Sequence, residues 1–490
     1  MDHRMTRRNT IKTAVITAIA ALAPFEMWSA FAQAPKRVRY GAHTADGARM
    51  LGIYADAVRA MGDPSKYKEG DPRSWLFQWY THSVRDDRTK AEEIKRVYNG
   101  MPEAEIALAM WDTCEAHTDS ERENFFLPWH RMYVLYFEEI VRQVTGKNEF
   151  TLPYWDYSNI ANRALPAEFR KSGDAKWGSL YRAHRNKHAN DGKPIDQPPG
   201  TFAINLDAMK SNVYEVKNGD AGFCANLDGG LHGAIHVDVG NGQGMGSVPW
   251  AARDPIFWLH HSNIDRVWAS WARAGGGFPS DSAFLGEMFN FADGAGKGVM
   301  AKVQDFMKLT QYEYDTYLDR PAGSLPFTTG PQLVAKGLRF DSVGKVNLGA
   351  KSTAVKLSPP TSSPGGGPLP VAAASVKDIP VEAAVHLRLE GLRAEGSSSA
   401  VFDVHAGPPQ QKQERTAPSF IGSVNFFGAA HGHQASGHPT GRGKVVSFLL
   451  SPQTRQLLAS QSGPVQITLV PRSGAKQGQP EINRVSLVVE

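Results

Sequence analysis

Two histidine-bearing stretches constrain this chain more than any other feature. In Leu231-His-Gly-Ala-Ile-His236 two imidazoles stand four residues apart, a spacing that puts them on one helix face a turn apart, where both can grip one metal ion. Taken alone, such a pair is weak evidence, because surface and core histidines share the spacing. It gains weight from Asp254-Pro-Ile-Phe-Trp-Leu-His-His-Ser-Asn-Ile-Asp-Arg-Val-Trp268, which carries His260 and His261 on a strongly apolar helical pattern. Adjacent side chains diverge by about 100° around a helix, so one of the two faces a given metal. Asp265, four residues after His261, is expected to orient the second ring nitrogen of that histidine. The reading therefore takes His261 as the ligand and His260 as a neighbour that packs or hydrogen-bonds beside it.

An earlier stretch, Phe125-Phe-Leu-Pro-Trp-His-Arg-Met-Tyr-Val-Leu-Tyr-Phe-Glu-Glu139, has a proline where a helix would begin, which places His130 in the first turn. His117 stands in a polar, loop-like segment, and His82 ends the amphipathic run Trp75-Leu-Phe-Gln-Trp-Tyr-Thr-His82. Two sets of histidine without carboxylates at ligand spacing point to a metal that accepts imidazole, such as copper. The Glu-x-x-His pairs of a di-iron bundle are not found in this region, and the H-E-x-x-H of zinc proteases is absent.

The 490 residues suggest two or three domains, and 41% hydrophobic with 21% charged residues is a globular balance. The net charge of +5 is spread along the chain, which gives no argument for nucleic acid as a partner. Thr6-Arg7-Arg8-Asn9-Thr10-Ile11-Lys12, an apolar run from Ala14 to Ala23 and small-residue sites around Ala30 to Ala34 read as a signal peptide (1–32) of the twin-arginine type. Export to the periplasm or medium is expected, with no membrane span in the mature form. Cys114 and Cys224 are the two cysteines, too few for a disulfide framework. Residues 35–320 are expected to form a mainly α domain, and 321–378 a linker region that is rich in Pro, Gly and Ser at 358–370. Beyond it, Val385, Leu387 and Leu389 alternate with His386, Arg388 and Glu390, and Val465, Ile467 and Leu469 repeat the pattern, so 379–490 reads as a small all-β domain.

Phe126-Leu-Pro-Trp-His-Arg131, Leu152-Pro-Tyr-Trp-Asp156 and Asp254 to Arg266 make the chain resemble the tyrosinase, catechol oxidase and hemocyanin group of coupled dicopper proteins. The resemblance covers roughly Arg39 to Tyr317. It implies a four-helix-bundle core that binds two copper ions, with His82, His117 and His130 on the first and His232, His236 and His261 on the second. O2 is the implied co-substrate and a small phenol the partner. Neutral imidazoles leave each ion open positions for O2.

Further implications follow position by position. The resemblance allows a thioether from Cys114 to a ligand histidine; a Cys114–Cys224 disulfide and two free thiols are the alternatives. Gly233 stands where family tyrosinases tend to carry an Asn that holds a phenol-deprotonating water, and Asp228 is expected to orient that water. Val237 and Met245 are expected to face the substrate. Val401-Phe-Asp-Val404 is similar to a signature of the sandwich-like β domain that covers the active site of many polyphenol oxidases. The expected activity is oxidation of mono- or o-diphenols to o-quinones, with a catechol or o-aminophenol oxidase next, and an O2 carrier from another class.

Overall fold

The structure, a computed structural model, describes residues 36–489 apart from 116–122, 197–203, 216–219, 328–338, 359–375, 380–382, 397, 412, 430–442, 473 and 475–477. The signal segment, His117 and nearly all of the Pro/Gly/Ser stretch at 358–370 lie outside the described residues.

Six helices position the histidines. Helix α1 (Ala45–Met61) starts where the Thr44 side chain accepts from the Gly47 amide, and it buries Met50, Leu51, Tyr54 and Val58 along one face. Helix α2 (Trp75–His82) is capped in the same way by Ser74, which accepts from the Phe77 amide. Helix α3 (Phe126–Thr145) stops at Gly146, whose φ of 66° suits a residue without Cβ. Helices α4 (Gly222–Leu227) and α5 (Gly233–Val239) are joined by a wide helical turn, Asp228–His232, that breaks at Gly230 (φ −98°, ψ −107°). Helix α6 (Ile256–Arg273) is buried without interruption from Ile256 to Trp268, so it runs through the middle of the domain rather than along its surface.

One aromatic-rich core extends from Ala42 to Tyr312, and Trp129, Trp155, Trp258, Trp268 and Trp271 are fully buried in or beside it. Truncating any one of them to alanine would cost about 3–5 kcal/mol. Asp254 opens α6 by accepting from the Ile256 amide and is held by both arms of Arg185, at 2.7 and 2.8 Å. The Asp of the D-P-I-F-W-L-H-H segment is thus a structural anchor for the ligand helix.

The C-terminal region is one nine-stranded antiparallel sheet. Its strands are β1 (Arg339–Ser342), β2 (Val346–Asn347), β3 (Thr353–Ser358), β4 (Val385–Arg393), β5 (Val401–Ala406), β6 (Phe420–Asn425), β7 (Lys444–Leu449), β8 (Val465–Pro471) and β9 (Glu481–Val489). Their order is β6-β5-β8-β3-β1-β9-β4-β7, with β2 on β9. Every strand contributes to a single second core, from Phe340 and Val346 to Leu487 and Val489. Buried Asp403, in the V-F-D-V segment, accepts from Arg415, Arg472 and Ser423, which ties β5 to β6 and to the end of β8.

The linker reading of 321–378 needs correction here. Strands β1 to β3 lie inside it, and β3 pairs with both β8 and β1. The signal was present in Thr353-Ala-Val-Lys-Leu-Ser358, where Val355 and Leu357 are buried and Ala354 and Lys356 are exposed, but three short strands among turn residues look like a linker by composition. No helix among the described residues is long and apolar enough to cross a membrane.

Candidate metal centre

Five of the six expected ligand histidines are described, and the helices bring all five together. His82 ends α2, His130 lies in the first turn of α3, His232 and His236 flank the start of α5, and His261 lies in the second turn of α6. All five are buried. The ligand atoms of His232, His236, His260 and His261 lie within 4.8 Å of one another, as do those of His82, Cys114 and His130. The two sets touch: the His130 and His261 rings stack with centroids 4.2 Å apart and planes 7° apart.

Hydrogen bonds fix how these rings point. His130 Nδ1 is 2.8 Å from the Phe126 carbonyl, His236 Nδ1 is 2.7 Å from the Met245 carbonyl, and His232 Nδ1 is 3.0 Å from Asp228 Oδ1. Each acceptor calls for a proton on Nδ1, which leaves Nε2 as a bare lone pair. For His232 and His236 those two lone pairs then face each other at 3.0 Å. Such a contact is repulsive unless a cation sits against it, so the donor set fits a metal. Among the described residues, neither nitrogen of buried His261 has a hydrogen-bond partner, and an unmet buried polar group is costly. Burial, then the neighbouring His130, His260, His232 and His236, pushes the His261 pKa well below its ordinary value; burial and His232 do the same to His260. The rings are therefore neutral, the form that ligates.

The expected surroundings are only partly as read. His260 joins the second set and bonds through Nδ1 to the Tyr157 hydroxyl at 2.9 Å. Asp265, in contrast, does not orient His261: it accepts from Arg39 at 2.9 Å, Arg131 at 2.5 Å and Tyr314 at 2.6 Å. Two buried guanidiniums outcompete a neutral ring for a carboxylate. Asp228 holds His232 through Oδ1, which Lys444 faces from 3.5 Å away. Met245 is fully buried in the helical core and serves the site through its carbonyl rather than by facing substrate. Val237 packs with Ala234 and Val248 and, from the C-terminal region, with Val401 and Phe427. The cysteines do not form a disulfide: Cys114 Sγ lies 3.6 Å from His130 Nε2, and Cys224 donates to the Asn124 carbonyl.

The residues missed come from the C-terminal sheet and the loop after it. The Phe427 ring stacks on His236 with centroids 4.2 Å apart and planes 10° apart, and lies 5.8 Å from His232. Asn425 stands so close to Gly233 that a Cβ there would overlap its Oδ1 and lie 2.9 Å from its Cγ. Asn425 and Phe427 lie nearly two hundred residues from the ligands they touch, and no local pattern marks them. Phe257 was within reach, four residues before His261; its ring lies 4.2 Å from His261 and 4.9 Å from His82.

Comparison with known proteins agrees with this geometry. Residues 72–274 match the family model for the common central domain of tyrosinase, and residues 341–490 match a domain of unknown function, DUF7868. The chain is 28% identical over 473 residues to the tyrosinase HcTyr1 of Hahella sp. (strain CCB-MM4), covering 88% of this chain and 95% of that protein. It is 25% identical over 493 residues to a chloroplastic polyphenol oxidase of Malus domestica, covering 91% and 76%. Its fold is similar to that of latent apple tyrosinase (TM-score 0.60, 23% identity, 93% of this chain and 97% of that chain). It is similar also to that of a latent aurone synthase, a polyphenol oxidase (TM-score 0.62, 20% identity, 93% and 90%). Residues 72–274 thus form a central domain of the tyrosinase and polyphenol oxidase family, copper oxidoreductases that act on small phenols with O2 at a coupled dicopper centre.

Proposed function

We propose that this chain oxidises o-diphenols to o-quinones in preference to hydroxylating monophenols, and that its C-terminal domain (379–490 together with strands β1 to β3) holds it latent. His82, His117 and His130 are the ligands of the first copper in this reading, and His232, His236 and His261 those of the second. The observation that carries the dicopper assignment is the pair of opposed Nε2 lone pairs beside an uncommitted His261 that stacks on His130. His261 is preferred over His260 because its ring stacks on His130, between the two histidine sets.

Bound copper supplies the electron acceptor and the O2 site. Two o-diphenols give up two electrons and two protons each, so one O2 leaves as two waters. The chain's own residues set what reaches the metal. A monophenol must lose its proton beside the second copper, which calls for a positioned acceptor. Asp228 is committed to His232 and Lys444, and Gly233 offers no side chain, which favours the more acidic o-diphenols. Phe427 lies flat on His236, where an aromatic substrate would stack, which supports latency; the two proteins of similar fold named above are themselves described as latent. The arginine pair and apolar run before Ala34 support export by the twin-arginine route.

Copper stoichiometry and O2 uptake on tyrosine, dopamine, catechol and o-aminophenol test this reading together. Two coppers per chain, rapid catechol uptake once the tail is displaced and slow tyrosine uptake are expected. Tyrosine turnover as fast as catechol turnover overturns the diphenol preference. Reversible O2 binding without phenol turnover makes the protein a carrier.

A further inference from the structure

The C-terminal sheet does more than lie over the metal centre. At the break at Gly230, buried Asn425 donates to the carbonyls of Gly229 and Gly230, at 2.7 and 3.3 Å. Strand β7 runs alongside: the Ser447 amide donates to Asn226 Oδ1 at 2.8 Å, and Val446 packs against Gly229. From the same strand the Lys444 ammonium, 4% exposed, donates to the Phe427 carbonyl at 3.0 Å and lies 3.5 Å from Asp228 Oδ1, which in turn holds His232 Nδ1 at 3.0 Å. A buried carboxylate needs a counter-charge, and the cation 3.5 Å from Asp228 comes from the other domain.

We propose that Lys444 and Asn425 are positioning residues for the second copper, holding His232 by way of Asp228 and the broken helical turn. The C-terminal domain is then a working part of the metal site as well as its cover. The proposal rests on His232 being a ligand of the second copper, as read above. Without Lys444, Asp228 loses the cation that faces its Oδ1 and shifts, and the His232 ring loses the partner that fixes its Nδ1 proton and its direction. Loss of such an outer partner typically weakens metal binding about 10–100-fold.

The test is chelator competition on the copper-loaded full-length protein, read as copper retained per chain. Lys444→Met and Asn425→Ala should each give up one of two coppers at chelator concentrations where the parent and Phe427→Ala keep both. Lys444→Arg, which restores the charge, should keep both. In an Asp228→Asn background, Lys444→Met should add little further loss, because the charge it serves is gone; a merely structural lysine would cost the same in both backgrounds. Retention of both coppers by Lys444→Met as firmly as by the parent overturns the proposal, and so does equal loss from Phe427→Ala. A His232→Ala protein that keeps two coppers overturns the ligand assignment and the proposal with it. A His232→Ala protein with one copper upholds that assignment and leaves Lys444→Met to decide.

Discussion

The two halves of the metal centre are built on different principles. The described part of the first half is held within the helical domain: His130 is fixed by a carbonyl of its own helix at Phe126, and the His82 ring packs against those of Phe257 and Tyr133. The second half is shared between two domains. His232 leans on Asp228, which Lys444 of β7 faces, and His236 is fixed by Met245 on one side and covered by Phe427 on the other. A ligand set completed by a second domain can be opened or loosened when that domain moves, whereas one closed within its own core cannot.

The largest expected effect breaks the second half outright. His261→Ala should lose the second copper and all oxidase activity while keeping the first copper, and His260→Ala should keep both, as measured by metal analysis. The reverse pattern would show that α6 presents the other face. Gly233→Asn sharpens the comparison at the domain contact. Any Cβ there displaces Asn425, so the full chain should hold its second copper less firmly. An acceptor beside the second copper should also raise tyrosine turnover relative to catechol, with about 10²–10⁴-fold as the ceiling for a general-base step. An unchanged ratio with copper intact would mean that position 233 does not govern the hydroxylation step.

Asp265 provides the control on the first-half side of the core. Because it pairs with Arg39 and Arg131 rather than His261, Asp265→Asn should leave two coppers bound while costing about 3–5 kcal/mol of stability, the penalty for stranding buried charge. Loss of copper without loss of stability would restore its expected role beside His261. The smallest effect is on pH. Burial lowers the pKa of His260 and His261 in the folded protein, so below about pH 6.5 the unfolded chain takes up protons that the folded chain refuses. Copper-free protein should lose up to about 1.4 kcal/mol of stability per unit of pH for each such ring as pH falls below that point. Thermal melts between pH 7.5 and 5.5 that do not shift would place these rings in water.

Much of this was legible in the sequence, for a physical reason. Ligand helices carry their chemistry in local spacing, so His130, His232, His236 and His261 stand out in windows of a few residues, and alternation gave the later strands. What escaped was set by long-range competition. Asp265 has the right spacing for His261, but only the folded core shows two arginines arriving from residues 39 and 131. Strands β1 to β3 are too short for alternation to outweigh their Gly- and Ser-rich surroundings. Phe427, Asn425 and Lys444 reach the site through tertiary packing alone.

The central claim is that a phenol-oxidising dicopper site is closed by this chain's own C-terminal domain, with Phe427 seated on His236. The most direct measurement is the initial rate of catechol oxidation by full-length Phe427→Gly and by the parent, at equal copper content and without detergent or protease. A closed state that opens 0.1–10% of the time predicts a rise of about tenfold or more in the variant. Equal rates, with two coppers in each protein, would contradict the account.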